Sequence, residues 1–182
     1  MASSKTGSFY LTETVTIPVG SGAGNRVQGS IDLGAYVNVA TGQAIAVEYV
    51  DFITQGGATY QVSANDFLTG NGAIGFQLTD LNPGGLFTRA DNQSLIASGS
   101  LVIDDANNVV SQTVDLYPDN FGSAALSESF MVVNDRMYLV AGNDVEATKM
   151  DVYVTARIRC RVVKLGSKDW MAIAIQSTAA DN

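Results

Sequence analysis

The chain has 182 residues, with 10 basic and 18 acidic side chains, a net charge of −8, no histidine and one cysteine. Its 28 charged residues compare with roughly 45 in an average domain of this length, and 46% of the chain is apolar. These figures exclude a charge-swollen disordered chain, a basic nucleic-acid binder overall, His-based catalysis or His-ligated metal, and an intrachain disulfide or cysteine-cluster metal site.

Residue types point to strands. Val, Ile and Thr number 20, 10 and 14, against 12 Leu, 4 Glu and 4 Lys. The first group prefers the pleated sheet, the second the helix. The acids are 14 Asp to 4 Glu, and Asp favours turns over helix interiors. No long 3.6-residue periodicity is present. Met1 to Gly7 is not followed by the apolar stretch of an export signal. The longest apolar run, Trp170 to Ile175, is far short of the roughly 20 residues that span a bilayer. The expectation is a chain with no signal peptide and no transmembrane segment.

In chain order, residues 1–8 read as a flexible arm. Phe9 to Ile17 alternates, with Leu11, Val15 and Ile17 opposite Thr12, Thr14 and Thr16, and Pro18 ends it. Val19 to Gly29 is a Gly/Ser-rich loop, and Ser30 to Val39 a strand. Gln43 to Ile53 is apolar on both faces, Ile45, Val47, Tyr49 and Ile53 against Ala46, Val50 and Phe52. That predicts a central strand covered on both sides. A short strand follows at Thr59 to Ser63. Asn71-Gly72 is a hairpin signal, and Ile74 to Thr79 a strand. After the turn Asn82-Pro83-Gly84-Gly85 come strands at Ser94 to Ile103 and Asn108 to Leu116, joined through Asp104 to Asn107. Tyr117 to Leu126 reads as a loop. Ser127 to Val133 and Met137 to Ala141 form a predicted hairpin around Asn134-Asp135, and Gly142 to Thr148 a polar connection.

Met150 to Leu165 carries the clearest pattern. Met150, Val152, Val154, Ala156, Ile158, Cys160 and Val162 take the even positions, and Tyr153, Thr155, Arg157, Arg159 and Arg161 odd ones. This is a half-buried strand, long enough to bend or bridge two sheets, with Cys160 on its core face. Ser167 to Ile175 fits either a short helix capped by Ser167 or a further strand. The predicted fold is one all-β domain over 1–182: a jelly-roll-like sandwich of eight to ten strands with at most two short helices.

Charge is uneven along the chain. Residues 149–168 carry +5 and the rest −13. Arg157, Arg159 and Arg161 share one strand face. Three readings stand: a solvated face balanced by acids on adjacent strands, a contact with a neighbouring subunit, or an anion-binding row for nucleic acid or an acidic lipid surface. The pairs Asp104-Asp105, Asp119-Asn120 and Asn143-Asp144 invite a calcium reading; none has the EF-hand pattern, and turn-forming Asx residues account for them more simply, but the sequence does not decide between the two. Gly20-Ser21-Gly22-Ala23-Gly24 lacks the lysine of a phosphate loop. For a sugar platform, only Trp170, Tyr117 and Phe121 stand as exposed aromatic candidates. No catalytic, cofactor or metal residues are assigned, and an enzyme is not expected.

Low charge, abundant β-branched residues and a strand-only layout suggest an exterior covered by copies of the same chain. In that layout the chain resembles the single jelly-roll major capsid proteins of tailless icosahedral viruses of archaea and bacteria. The resemblance covers the whole chain but rests on no diagnostic motif, so it carries over no functional residue. It implies a structural, self-assembling coat protein of the virion, assembled in the host cytoplasm. Its partners would be copies of itself and other capsid proteins, with no small-molecule substrate, and its acidic bulk disfavours nucleic-acid or internal-membrane contact. The alternatives are a carbohydrate-binding or lectin-like module and a filament-forming protein joined by strand exchange through the N-terminal segment.

Overall fold

A computed structural model describes residues 2–115 and 130–179. Among them are ten strands and one α-helix: β1 (Ser3–Ser4), β2 (Phe9–Ile17), β3 (Arg26–Asp32), β4 (Gln43–Gly56), β5 (Gly72–Thr79), β6 (Leu95–Asp104), β7 (Val109–Asp115), β8 (Phe130–Val132), β9 (Arg136–Asp144), β10 (Val152–Lys164) and α1 (Ser167–Ala179). No helix among the described residues is long and apolar enough to cross a membrane.

The strands form two sheets. The first runs β2–β10–β4–β8, with β1 continuing the β2 edge where Ser3 pairs Lys164. The second runs β3–β9–β5–β6–β7. Every pairing is antiparallel. The chain starts in the first sheet with β1 and β2, crosses to the second at β3, returns at β4, builds β5 to β7 in the second, and alternates again through β8, β9 and β10. Without β1 and β7 this is two four-stranded sheets in jelly-roll order, as the residue pattern predicted.

The core lies between the sheets. The even residues of β10, Val152 through Val162, are buried there with Val15, Ile17, Val50, Phe52, Ile74, Phe76 and Leu139. The Phe52 and Phe76 rings, one from each sheet, meet with centroids 4.7 Å apart. Cys160 is a buried free thiol.

A smaller apolar cluster lies on the outer face of the first sheet. Ala44, Ala46, Val133, Val163 and Leu165 are buried there, with Trp170, Ile173 and Ala174 of α1 packed on them. Ser167 to Ile175 is therefore helix. Strand β4 is central, between β10 and β8, and apolar residues on both its faces are covered at this end.

Several expected elements differ. The strand expected over Ser30 to Val39 occupies Arg26–Asp32 instead. The Asp32 carboxylate accepts from the Gly34 N–H at 2.8 Å, an Asx turn that ends the strand. Thr59 to Ser63 makes turns and a single bridge at Gln61. Asn71-Gly72 is not a hairpin turn: Gly72 opens β5, where an added Cβ would come within 2.8 Å of the Asp144 carbonyl. The expected hairpin around Asn134-Asp135 is a crossover, because β8 pairs β4 while β9 pairs β3 and β5. Strand β9 also runs on to Asp144, through the expected polar connection. Strand β10 stays within one sheet. The Tyr117 to Leu126 loop lies outside the described residues. In the expected arm, Ser3 and Ser4 pair with β10, the Lys5 N–H donates to the Val162 carbonyl at 2.9 Å, and the Val162 N–H donates to Thr6 Oγ1 at 3.0 Å.

Candidate interaction surface

The arginine row lies on the outer face of the first sheet, and one irregularity of β4 shapes it. Pairing between β10 and β4 runs from Arg159↔Tyr49 to Cys160↔Val47, so Glu48 has no partner. Such a β-bulge switches strand parity. Ile45 and Val47 face the core before it, and Val50 and Phe52 after it. Tyr49 therefore leaves the face on which strict alternation had placed it.

The bulge brings the Glu48 carboxylate to the arginines. Arg159 Nε lies 3.1 Å from Glu48 Oε2, and the Arg161 guanidinium donates to Glu48 Oε1. The Ser8 hydroxyl donates to Oε2 at 2.9 Å. Glu48 is nearly buried, its side chain 6% exposed, while Arg161 keeps 18% and Arg159 51%. Two guanidiniums thus share one carboxylate, leaving a local positive excess. Arg157 lies over the exposed Tyr10 ring, 5.3 Å from its centroid, a cation–π contact.

Arg159 sits in register with Tyr10 of β2 on one side and Tyr49 of β4 on the other. Both tyrosines are exposed. The surface across the three strands therefore reads Tyr10–Arg159–Tyr49, with Arg157 beside Tyr10. Tyr and Arg are the side chains enriched at protein interfaces. The sequence pattern does not show this patch, because strict alternation puts Tyr49 on the same face as Ile45 and Val47. A visible signal was Glu48, one carboxylate inside an apolar run.

A groove of about 830 Å³ opens at the other end of this face, lined by residues including Lys5, Val39, Lys164, Leu165, Trp170 and Met171. The exposed apolar side chains Val39 and Met171 stand on it, and Ile175 follows one turn further along α1. Trp170, expected as an exposed platform, packs on the outer cluster with its indole nitrogen buried. Tyr117 and Phe121 lie outside the described residues.

The acidic turns have protein partners. The Asn107 side-chain amide donates to Asp104 at 2.7 Å. That bond is the main reason the Asp104 carboxyl is held below its ordinary range. Asp105 lies 3.6 Å from Lys149 Nζ, and Asp144 2.7 Å from Arg26 Nη2. Asp119-Asn120 lies outside the described residues. Among the described residues no group of three or more Cys, Asp or Glu is arranged to hold a metal ion.

No family model matches the chain, and no curated protein matches it. Among solved structures it is similar to a chain titled "Turnip yellow mosaic virus", at 9% identity and a TM-score of 0.32, over 88% of this chain and 85% of that one. At that identity and score the likeness assigns no function to this chain. The jelly-roll order is established by strand pairing alone.

Proposed function

We propose that the chain is a self-assembling structural protein, a viral coat subunit that packs with copies of itself into an icosahedral shell. A jelly roll by itself serves many functions. The observation that carries the reading is the exposed Tyr10–Arg159–Tyr49 row, with Arg157 beside it. It lies on a chain of only 15% charged residues. Of the arginine row, Arg157 and the half-exposed Arg159 are the contact residues; Arg161 shares the Glu48 carboxylate with Arg159 but is only 18% exposed. The partners are copies of this chain and other coat proteins, in a virion assembled in the host cytoplasm. No cofactor or substrate belongs to the reading, and the net charge of −8 disfavours a genome- or membrane-binding role.

Sedimentation velocity over a range of protein and salt concentrations tests it. Large, concentration-dependent species are expected, and a monomer throughout overturns the reading. One observation favours the lectin-like alternative: exposed Tyr10 and Tyr49 can stack against sugar rings. Binding of a monomer to a glycan array, lost on Tyr10→Ala, would support that alternative instead.

A further inference from the structure

Val145 is an outlier in both backbone and exposure. Its φ is +77°, a region that β-branched residues rarely enter. The Glu146 N–H donates to the Asp144 carbonyl at 3.0 Å, closing a γ-turn around it, and with positive φ that turn is strained. The side chain is 72% exposed, so core packing does not account for the strain. The turn is clamped from beneath by buried Asn143, whose Nδ2 donates to the Glu146 carbonyl at 2.7 Å and to the Ser21 and Gly22 carbonyls at 3.0 Å. Thr69 Oγ1 also donates to Glu146 Oε2 at 2.6 Å. The fold holds an apolar knob outward between two acids, Asp144 and Glu146. Strain retained against this cost is a pointer to function.

The groove beside α1 has the opposite character. Buried Leu165 and half-buried Trp170 line it, with the exposed apolar side chains Val39 and Met171 and the exposed Lys5 and Lys164. Val145 precedes β10 and the groove follows it, so the two lie at opposite ends of a 13-residue strand, roughly 40 Å long. A subunit cannot fill its own groove with its own knob. We infer that the Asp144–Val145–Glu146 tip of one copy docks into the Lys5/Lys164-lined groove of the next. Valine meets the apolar side chains of the groove and the Glu146 carboxylate meets the lysines, while Asp144 stays paired with Arg26 of its own subunit. A knob and groove on different patches make a heterologous contact, which gives rings where the rotation between copies closes and open filaments where it does not; the shell reading requires the closed form. The inference rests on the self-assembly reading and supplies one of its contacts, separate from the tyrosine–arginine row.

The test uses the purified full chain and sedimentation velocity, with thermal unfolding as control. Val145→Gly removes the knob and suits a positive φ. It is expected to keep or raise the melting temperature while weakening association at least tenfold. Val145→Asn, also tolerant of that φ, should do the same, so a folding defect of one variant does not decide the result. Lys164→Glu, which spoils the groove, should weaken association equally. A mixture of Val145→Gly and Lys164→Glu should form a heteromeric species that neither makes alone, since one retains a groove and the other a knob. If the wild type assembles and the folded Val145 variants assemble equally well, or the mixture gives no new species, the contact is overturned and the assembly reading stands. A wild type that stays monomeric throughout overturns both.

Discussion

The Glu48 carboxylate accepts from the Arg161 guanidinium across the β4–β10 pairing, and it reaches there because Glu48 is the one residue of that ladder without a partner. With Arg159 and Ser8 on its other oxygen, it joins β4, β10 and the segment before β2. Arg161 is the more buried of the two arginines. Replacing Glu48 with Gln leaves that cation uncompensated, a loss expected to cost about 3 kcal/mol. Arg159→Ala, at a half-exposed site, should cost about 0–1 kcal/mol. Urea midpoints of the two variants check the contrast, and equal small losses would contradict the buried pairing.

Cys160 faces the core on the same strand. Burial, then the Glu48 charge, pushes its thiol up to about 12 from an ordinary 9.0. The unfolded chain ionises first, so stability is expected to fall as pH rises through that window. The native thiol should resist thiol reagents near pH 8 and react once the chain is unfolded. Cys160→Ser is expected to cost about 1–3 kcal/mol if its hydroxyl finds no partner. Rapid modification of the native protein would contradict this placement.

Glu13 lies on the inward side of edge strand β2, where burial raises its carboxyl above the ordinary 4.5. The folded state then holds the proton more tightly than the unfolded chain. This group's contribution to stability therefore falls as pH rises through the window just above 4.5. Glu13→Gln removes that dependence. The melting temperature of the variant relative to wild type should climb as pH is raised from about 4.5 towards neutrality. A difference that stays constant with pH would contradict the inward placement.

Arg157→Ala combined with Arg159→Ala separates a subunit contact from a solvated face. If the row meets a neighbour, assembly should weaken by 2–5 kcal/mol for each broken interfacial pair, against about 0–1 for an exposed one. Circular dichroism should stay unchanged. Unchanged sedimentation in the double variant would leave the row as a solvated face.

Much of this was legible because strand burial has period two. Val152 to Val162 declared β10, its core face and the outward arginines in one pattern. The β4 bulge is not legible, since an inserted residue shifts parity without changing composition; strict alternation therefore puts Tyr49 on the wrong face and does not single out Glu48 as the partner of Arg161. Met171, Ile173 and Ile175 satisfy both a two-residue and a helical reading. Only the outer cluster at Ala44, Ala46 and Val163 decides for helix. The crossover at Asn134-Asp135 resembles a hairpin locally, because two apolar runs flank an Asn-Asp pair; in the fold Val132 and Val133 are both buried, one in each apolar cluster. Val145 carried no signal, since its conformation is imposed by Asn143 and Thr69 rather than by its own preference.

Electron microscopy of the purified full chain, imaged at concentrations where sedimentation shows large species, tests the central claim most directly. The account predicts closed particles of uniform diameter, dispersed by the Arg157→Ala/Arg159→Ala variant. Filaments would contradict the shell, and fields of isolated monomers at every concentration and salt would contradict self-assembly itself.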